Sequence, residues 1–115
     1  MNNLREQLEI LHAHLGELAA VLAQDPLCQW RKHFVACQQR AASLLSHGFT
    51  QSELNELSGS VSHVYGGAGS FNDYAPVRAK ADGTFGLIAG MDSFDKLSGN
   101  VYKSALALRV VGNAP

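Results

Sequence analysis

The residues best suited to chemistry lie close together near the middle of the chain. His63, Ser70 and Asp73 supply the residue types of a base, a nucleophile and an orienting acid. Catalytic triads are recognised by their geometry, however, and closeness in sequence is poor evidence for one. The simpler interpretation places His63 on a helix flank, Ser70 in a turn and Asp73 in an Asx turn or helix cap. We therefore predict no catalytic residue and no enzymatic activity.

A glycine-rich segment stands directly before that serine. Gly66, Gly67, Gly69 and Ser70 suggest a phosphate cradle, because backbone N–H groups of such turns can wrap an anion, most effectively at a helix N-terminus. Here the glycines follow a predicted helix, and neither the P-loop nor the Rossmann spacing is met. The segment therefore predicts a structural loop whose glycines adopt backbone angles closed to other residues.

The spacing of the histidines and cysteines does not favour a metal site or a disulfide. The five histidines include no pair at the four-residue spacing of a helical zinc site. Cys28 and Cys37 lie on one predicted helix, about 13 Å apart along its axis, which is too far for a disulfide. We expect Cys37 to be a small core side chain, and we predict no metal and no cofactor.

Acidic and aromatic side chains in the second half of the chain predict a surface for a protein partner. The proposed binding residues are Phe71, Asn72, Asp73, Tyr74, Asp82 and Asp92. Aromatic anchors within a polar rim often dominate binding energy, and an acidic surface suits a partner whose own site is basic. Turn formation and helix capping are the alternative explanation for the carboxylates.

Length and charge limit the class of protein. The chain has 115 residues and a net charge of −1, which predicts one domain over residues 1–115 and no nucleic-acid partner. We see neither a signal-like start nor the roughly 20 consecutive apolar residues of a membrane span. These features predict a cytoplasmic protein without a membrane partner.

The first helix is predicted over residues 3–24. Leucines recur in alternating steps of four and three residues, as in a heptad seam: Leu4, Leu8, Leu11, Leu15, Leu18 and Leu22. Asn3 is placed to cap its start, and Asp25-Pro26 to end it. The seam can pack within the chain, which we favour, or support a homodimer through Leu4–Leu22.

Three further helices are predicted over residues 27–46, 51–65 and 93–110. Asp25 and Pro26 are expected to open the second helix as N-cap and N1 residues, and Gly48 to end it. Thr50 and Glu53 predict a capping box for the third. Between helices 3 and 4 the periodicity disappears, so residues 84–88 can form a short strand, a 3₁₀ turn or an ordered loop. We predict an all-α, four-helix bundle-like domain with a long Gly-rich loop between helices 3 and 4.

The run from His63 to Asp73 also carries a family resemblance. It resembles a family of small uncharacterised bacterial proteins with a Tyr-Gly-Gly-x-Gly-Ser-Phe-Asn-Asp-like segment after two amphipathic helices. Such proteins are associated with immunity genes beside polymorphic or contact-dependent toxins. The resemblance implies a stoichiometric inhibitor that binds a cognate toxin domain, and it implies no catalytic residue. The alternative function is a small-ligand or nucleotide-binding domain that uses the Gly-rich loop.

Overall fold

Four α-helices and one β-hairpin make up the fold of the residues that the structure describes. A computed structural model describes residues 3–66 and 70–109 of the chain. In chain order the elements are α1 (Leu4–Leu22), α2 (Arg31–His47), α3 (Gln51–Ser62), a 3₁₀ turn (Phe71–Asp73), β1 (Val77–Ala79), β2 (Phe85–Leu87) and α4 (Phe94–Leu106). Helix α1 packs against both α2 and α4, and α3 packs against α2 and α4.

The leucine seam of α1 forms the centre of the core. Five of its six leucines have no exposed surface: Leu8, Leu11, Leu15, Leu18 and Leu22. Only Leu4, at the start of the helix, remains 39% exposed. The seam therefore packs against the chain's own helices, which leaves these five leucines no surface to offer a second copy.

Most of the predicted helix signals are confirmed. The Asn3 side chain accepts hydrogen bonds from the backbone N–H groups of Arg5 and Glu6 at the start of α1. Thr50 and Glu53 form both halves of the capping box that begins α3. Gly48 ends α2 with a positive φ of 92°.

The predicted start of α2 is wrong. Asp25 and Pro26 do not open the helix, which begins at Arg31 after a cap residue, Trp30, that makes no side-chain cap hydrogen bond. Asp25 instead accepts a hydrogen bond from the Leu27 N–H, as in an Asx turn. Its second carboxylate oxygen is used by a residue from a distant part of the chain, so local cap rules could not place it.

The all-α prediction is also wrong, because residues 77–87 contain a two-stranded antiparallel sheet. Strands β1 and β2 pair with Val77 opposite Leu87 and Ala79 opposite Phe85. The turn between them has a Gly83 N–H bond to the Lys80 carbonyl and a positive φ of 88° at Gly83. A type I turn followed by a left-handed glycine is a common hairpin connection, and it brings strands of only three residues into register.

Candidate functional site

Phe71 lies at the centre of an aromatic cluster that joins the hairpin region to the helices. Its ring centroid lies between 4.8 and 5.9 Å from those of five other rings, which belong to Trp30, Phe34, Tyr65, Tyr74 and Phe94. Most of these pairs are edge-to-face or tilted, the arrangement favoured by the ring quadrupoles. Phe71 is only 2% exposed, so its role is to hold the 3₁₀ turn against the helices.

Hydrogen bonds fix the backbone of the same turn. The Phe71 N–H donates to the Val64 carbonyl at 2.7 Å, and the Ser70 hydroxyl accepts from the Asn72 N–H at 3.2 Å. The Asn72 side-chain amide donates to the Tyr65 carbonyl. These bonds tie the segment after the glycines back onto the end of α3.

A buried carboxylate connects the turn after α1 to the hairpin. Oδ2 of Asp25 accepts a 2.7 Å hydrogen bond from the Tyr74 hydroxyl. Oδ1 of Asp25 forms an ion pair with the Arg78 guanidinium at 3.2 Å. The Tyr74 hydrogen bond is the main reason why the pKa of Asp25 is lowered, with the Leu27 N–H and Arg78 adding to it against burial. Burial, followed by that same hydrogen bond, raises the pKa of Tyr74. We call Asp25, Tyr74 and Arg78 the hairpin anchor.

The two faces of the hairpin differ in character. Side chains alternate along a strand, so Arg78 and Lys80 share one face, where Arg78 meets Asp25. Gly86 lies on this face too, and a Cβ atom there would collide with the Lys80 side chain. The Lys80 stem therefore lies across Gly86.

The opposite face of the hairpin is apolar and exposed. It carries Val77, Ala79, Phe85 and Leu87. Val77 is 44% exposed, Phe85 71% and Leu87 52%. Single exposed apolar side chains are common, but three on one small sheet face form a patch of the kind that marks interaction sites. We call these four residues the hairpin face.

A polar cleft of about 410 Å³ lies between the end of α3 and α4. Its described lining comprises Tyr65, Asn72, Asp95, Ser98, Gly99 and Tyr102. The Tyr65 hydroxyl donates to the Ser98 carbonyl, and burial raises the pKa of Tyr65 to about 12. These lining residues include the Asp95 carboxylate and no lysine or arginine, so the cleft is poorly suited to a phosphate group.

A cysteine–histidine contact on α2 does not form an activated nucleophile. The Cys37 sulfur lies 3.6 Å from Nε2 of His33. Burial raises the pKa of the Cys37 thiol to about 11 and, as the main cause, lowers the pKa of His33. Both groups are therefore neutral at pH 7, whereas nucleophilic attack by cysteine requires a thiolate.

The other chemical candidates from the sequence are not assembled either. Within the described ranges, Ser70 makes no hydrogen bond with His63. No group of three or more His, Cys, Asp or Glu side chains among those residues could hold a metal ion. Cys28 and Cys37 are both free thiols. Of the four helices described, none is long and apolar enough to cross a membrane.

A protein-family model matches part of this site. The model of the DUF6966 family, a domain of unknown function, matches residues 23–84, which is more than half of the chain. The chain belongs to the DUF6966 family. No curated protein and no solved structure matches it.

The DUF6966 region contains the complete hairpin anchor but not the complete hairpin. Asp25, Tyr74 and Arg78 all lie within it, as do Phe71 and strand β1. The match ends at residue 84, one residue before β2 begins. Two of the three exposed large side chains of the hairpin face therefore lie beyond the matched region.

The residues proposed from sequence as partner-binding occupy different environments. Phe71 is buried and Tyr74 is half-buried, whereas the other four are exposed: Asn72, Asp73, Asp82 and Asp92. Asp82 accepts hydrogen bonds from the N–H and hydroxyl of Thr84, which lower its pKa and brace the hairpin turn.

The structural-loop residues are described only in part. Ser70 caps the 3₁₀ turn with its side chain. Gly66 has no positive φ, and Gly67 and Gly69 lie outside the described residues.

Sequence reasoning missed both the anchor and the hairpin face. A signal for the hairpin was present, because Asp82-Gly83 lies between two short segments in which apolar residues alternate. No sequence signal pointed to the anchor, since Asp25 is separated from Tyr74 by 49 positions and from Arg78 by 53.

Proposed function

We propose that the chain is a cytoplasmic immunity protein, which binds a cognate bacterial toxin domain and neutralises it by stoichiometric inhibition without turnover. The observation that carries this proposal is the exposed hairpin face. Val77, Phe85 and Leu87 expose apolar surface that burial against a partner protein would remove from water, which is favourable.

The way in which the hairpin is held also supports a binding role. The Arg78–Asp25 ion pair and the Tyr74–Asp25 hydrogen bond attach the hairpin to the turn after α1. A surface fixed before binding loses less conformational entropy when the partner arrives, so more of the contact energy contributes to affinity. The hairpin face is therefore built as a pre-formed docking surface.

The class of partner comes from the resemblance of the His63–Asp73 run to small uncharacterised bacterial proteins that are associated with toxin-immunity genes. Exposed carboxylates add a charge argument, because Asp73, Asp82 and Asp92 all reach solvent. A basic toxin site would be attracted to them, and that attraction would raise the association rate more than it slows dissociation. Binding should accordingly weaken as salt is added.

The ligand-binding alternative is less well supported by the geometry. A nucleotide requires groups that favour negative charge, whereas the cleft beside Tyr65 presents the Asp95 carboxylate and the Asn72 amide. The glycines that would form a phosphate cradle follow the C-terminal end of α3, where the helix dipole is negative. We therefore do not propose it as a second function.

Protection of cells tests the proposed function. The toxin encoded by the neighbouring gene is induced in cells with or without this chain. We expect survival only when the chain is present, co-purification of the two proteins, and no turnover of any substrate by the chain alone. If the wild-type chain fails to protect the cells and retains a small metabolite through purification, the result would contradict the proposal and favour ligand binding.

A further inference from the structure

The hydrogen-bond register of the hairpin shows which backbone groups point outward. Ile88 N–H bonds to the Pro76 carbonyl and Lys80 N–H to the Thr84 carbonyl. Hydrogen-bonded and non-hydrogen-bonded pairs alternate along an antiparallel ladder. Val77–Leu87 and Ala79–Phe85 are therefore non-hydrogen-bonded pairs. The N–H and C=O groups of these pairs therefore point away from the hairpin, along its two outer edges.

The outer edge of β1 is partly blocked. The Val77 N–H already bonds to the Ala75 carbonyl at 2.8 Å, so it is not available to another strand. Ala79 alone retains an outward N–H on this edge.

The outer edge of β2 carries no such protection. Phe85 and Leu87 each direct one N–H and one C=O outward, and no hydrogen bond from another described element reaches these groups. The strand reads Phe-Gly-Leu, without proline, charge or bulge. This edge is therefore ready to pair with another strand.

We propose that this edge pairs with β2 of a second copy of the chain, antiparallel, about a twofold axis at Gly86. The spacing is self-complementary, because the axis places Phe85 of each copy opposite Leu87 of the other. Each such pair exchanges two hydrogen bonds. The two copies of Gly86 meet at the axis and contribute no side chain there, while the Lys80 stem that lies across Gly86 occupies the sheet face opposite the hairpin face.

The stability of the hairpin gives a reason to favour a second copy. An isolated two-stranded sheet is marginal in water, and further strands stabilise it. Here the hairpin anchor holds β1 through Arg78, whereas β2 packs against no described element other than β1. Pairing β2 with β2 builds a four-stranded sheet and places the exposed Phe85 of one copy beside Leu87 of the other. The hairpin faces of both copies then lie on one side of this sheet, which keeps one partner site for each chain.

Sedimentation velocity over a range of concentrations tests the dimer, and amide hydrogen exchange tests its geometry. We expect the mass to move from one chain to two as concentration rises. Exchange of the Phe85 and Leu87 amides should slow over the same range, while exchange of the Ala79 amide should not change. This measurement uses the unaltered chain, so it does not depend on how a variant folds.

Matched proline variants on β1 and β2 test which edge of the hairpin forms the dimer. Leu87→Pro removes an outward N–H from β2 in both copies and should weaken dimerisation roughly 10- to 50-fold. Ala79→Pro makes the same change on β1 and should leave dimerisation unchanged, and Leu87→Ala measures the loss of the side chain alone. Equal effects of the two proline variants would contradict the proposal.

Two further results would overturn it. One is a chain that remains monomeric at the highest concentrations tested. The other is protection of the Phe85 and Leu87 amides only after the toxin domain is added, which would show that this edge receives a strand of the partner.

Discussion

The Tyr74 hydroxyl lies 2.7 Å from Oδ2 of Asp25, although 49 positions separate the two residues in the chain. The other oxygen of the same carboxylate accepts from Arg78, the second residue of β1. One side chain thus holds together the end of the 3₁₀ turn, the hairpin and the turn after α1. The placement of the hairpin face depends on this contact.

Removing the anchor should destabilise the fold. Asp25→Ala leaves the Tyr74 hydroxyl and the Leu27 N–H without their acceptor, and should lower the free energy of unfolding by about 1–3 kcal/mol. Tyr74→Phe removes one hydrogen bond and should cost about 1 kcal/mol. Urea denaturation of both variants and of the double variant measures the coupling. Strictly additive costs would show that the two residues do not interact.

The anchor should also make stability depend on pH in the acid range. The pKa of Asp25 is lowered from its ordinary value of 3.8 in the folded state, so the unfolded chain binds a proton first as the pH falls. The stabilisation is therefore fully present well above pH 3.8 and is lost as the pH falls below that value toward the folded pKa. Asp25→Asn should show a flatter dependence of unfolding free energy between about pH 2 and pH 5. An unchanged slope would contradict the assigned role.

The helices were predictable because their signals are local. The leucine seam of α1 and the Thr50–Glu53 capping box depend on residues within one or two turns of each other, and both are confirmed. The anchor was not predictable, since Asp25 next to Pro26 resembles a helix start and its partners are distant in sequence. The hairpin was missed although Asp82-Gly83 marks its turn, because an alternation over only three residues does not distinguish a strand from an irregular loop.

Phe71 should be far more important for stability than Phe85. Phe71 packs against five rings and is 2% exposed, whereas Phe85 is 71% exposed. Phe71→Ala should cost about 3–5 kcal/mol, and Phe85→Ala should change stability by no more than about 0.5 kcal/mol. Thermal or urea unfolding at low protein concentration gives both values. A similar cost at the two positions would show that the cluster is not the core of this region.

Two glycines offer a matched test of the hairpin turn. Gly83 has a φ of +88°, so Gly83→Ala forces a side chain into a left-handed conformation and should cost about 1–2 kcal/mol. Gly99 lies within α4, and a Cβ atom at this position would have open space around it, so Gly99→Ala should stabilise by roughly 0.5–1 kcal/mol. Unfolding measurements on the two variants should therefore change in opposite directions. Stabilisation by Gly83→Ala would contradict the turn geometry.

Calorimetric titration of the chain with an inactivated toxin domain tests most directly whether the hairpin face is the partner surface. Val77→Ser alters this face away from the β2 edge, and Ile10→Ser alters an equally apolar side chain on α1; their exposures are 44% and 49%. We expect one toxin domain per chain, at least roughly tenfold weaker binding for Val77→Ser, and unchanged binding for Ile10→Ser. Unchanged affinity of the Val77→Ser variant, with the wild-type chain still binding, would contradict the assignment of this surface.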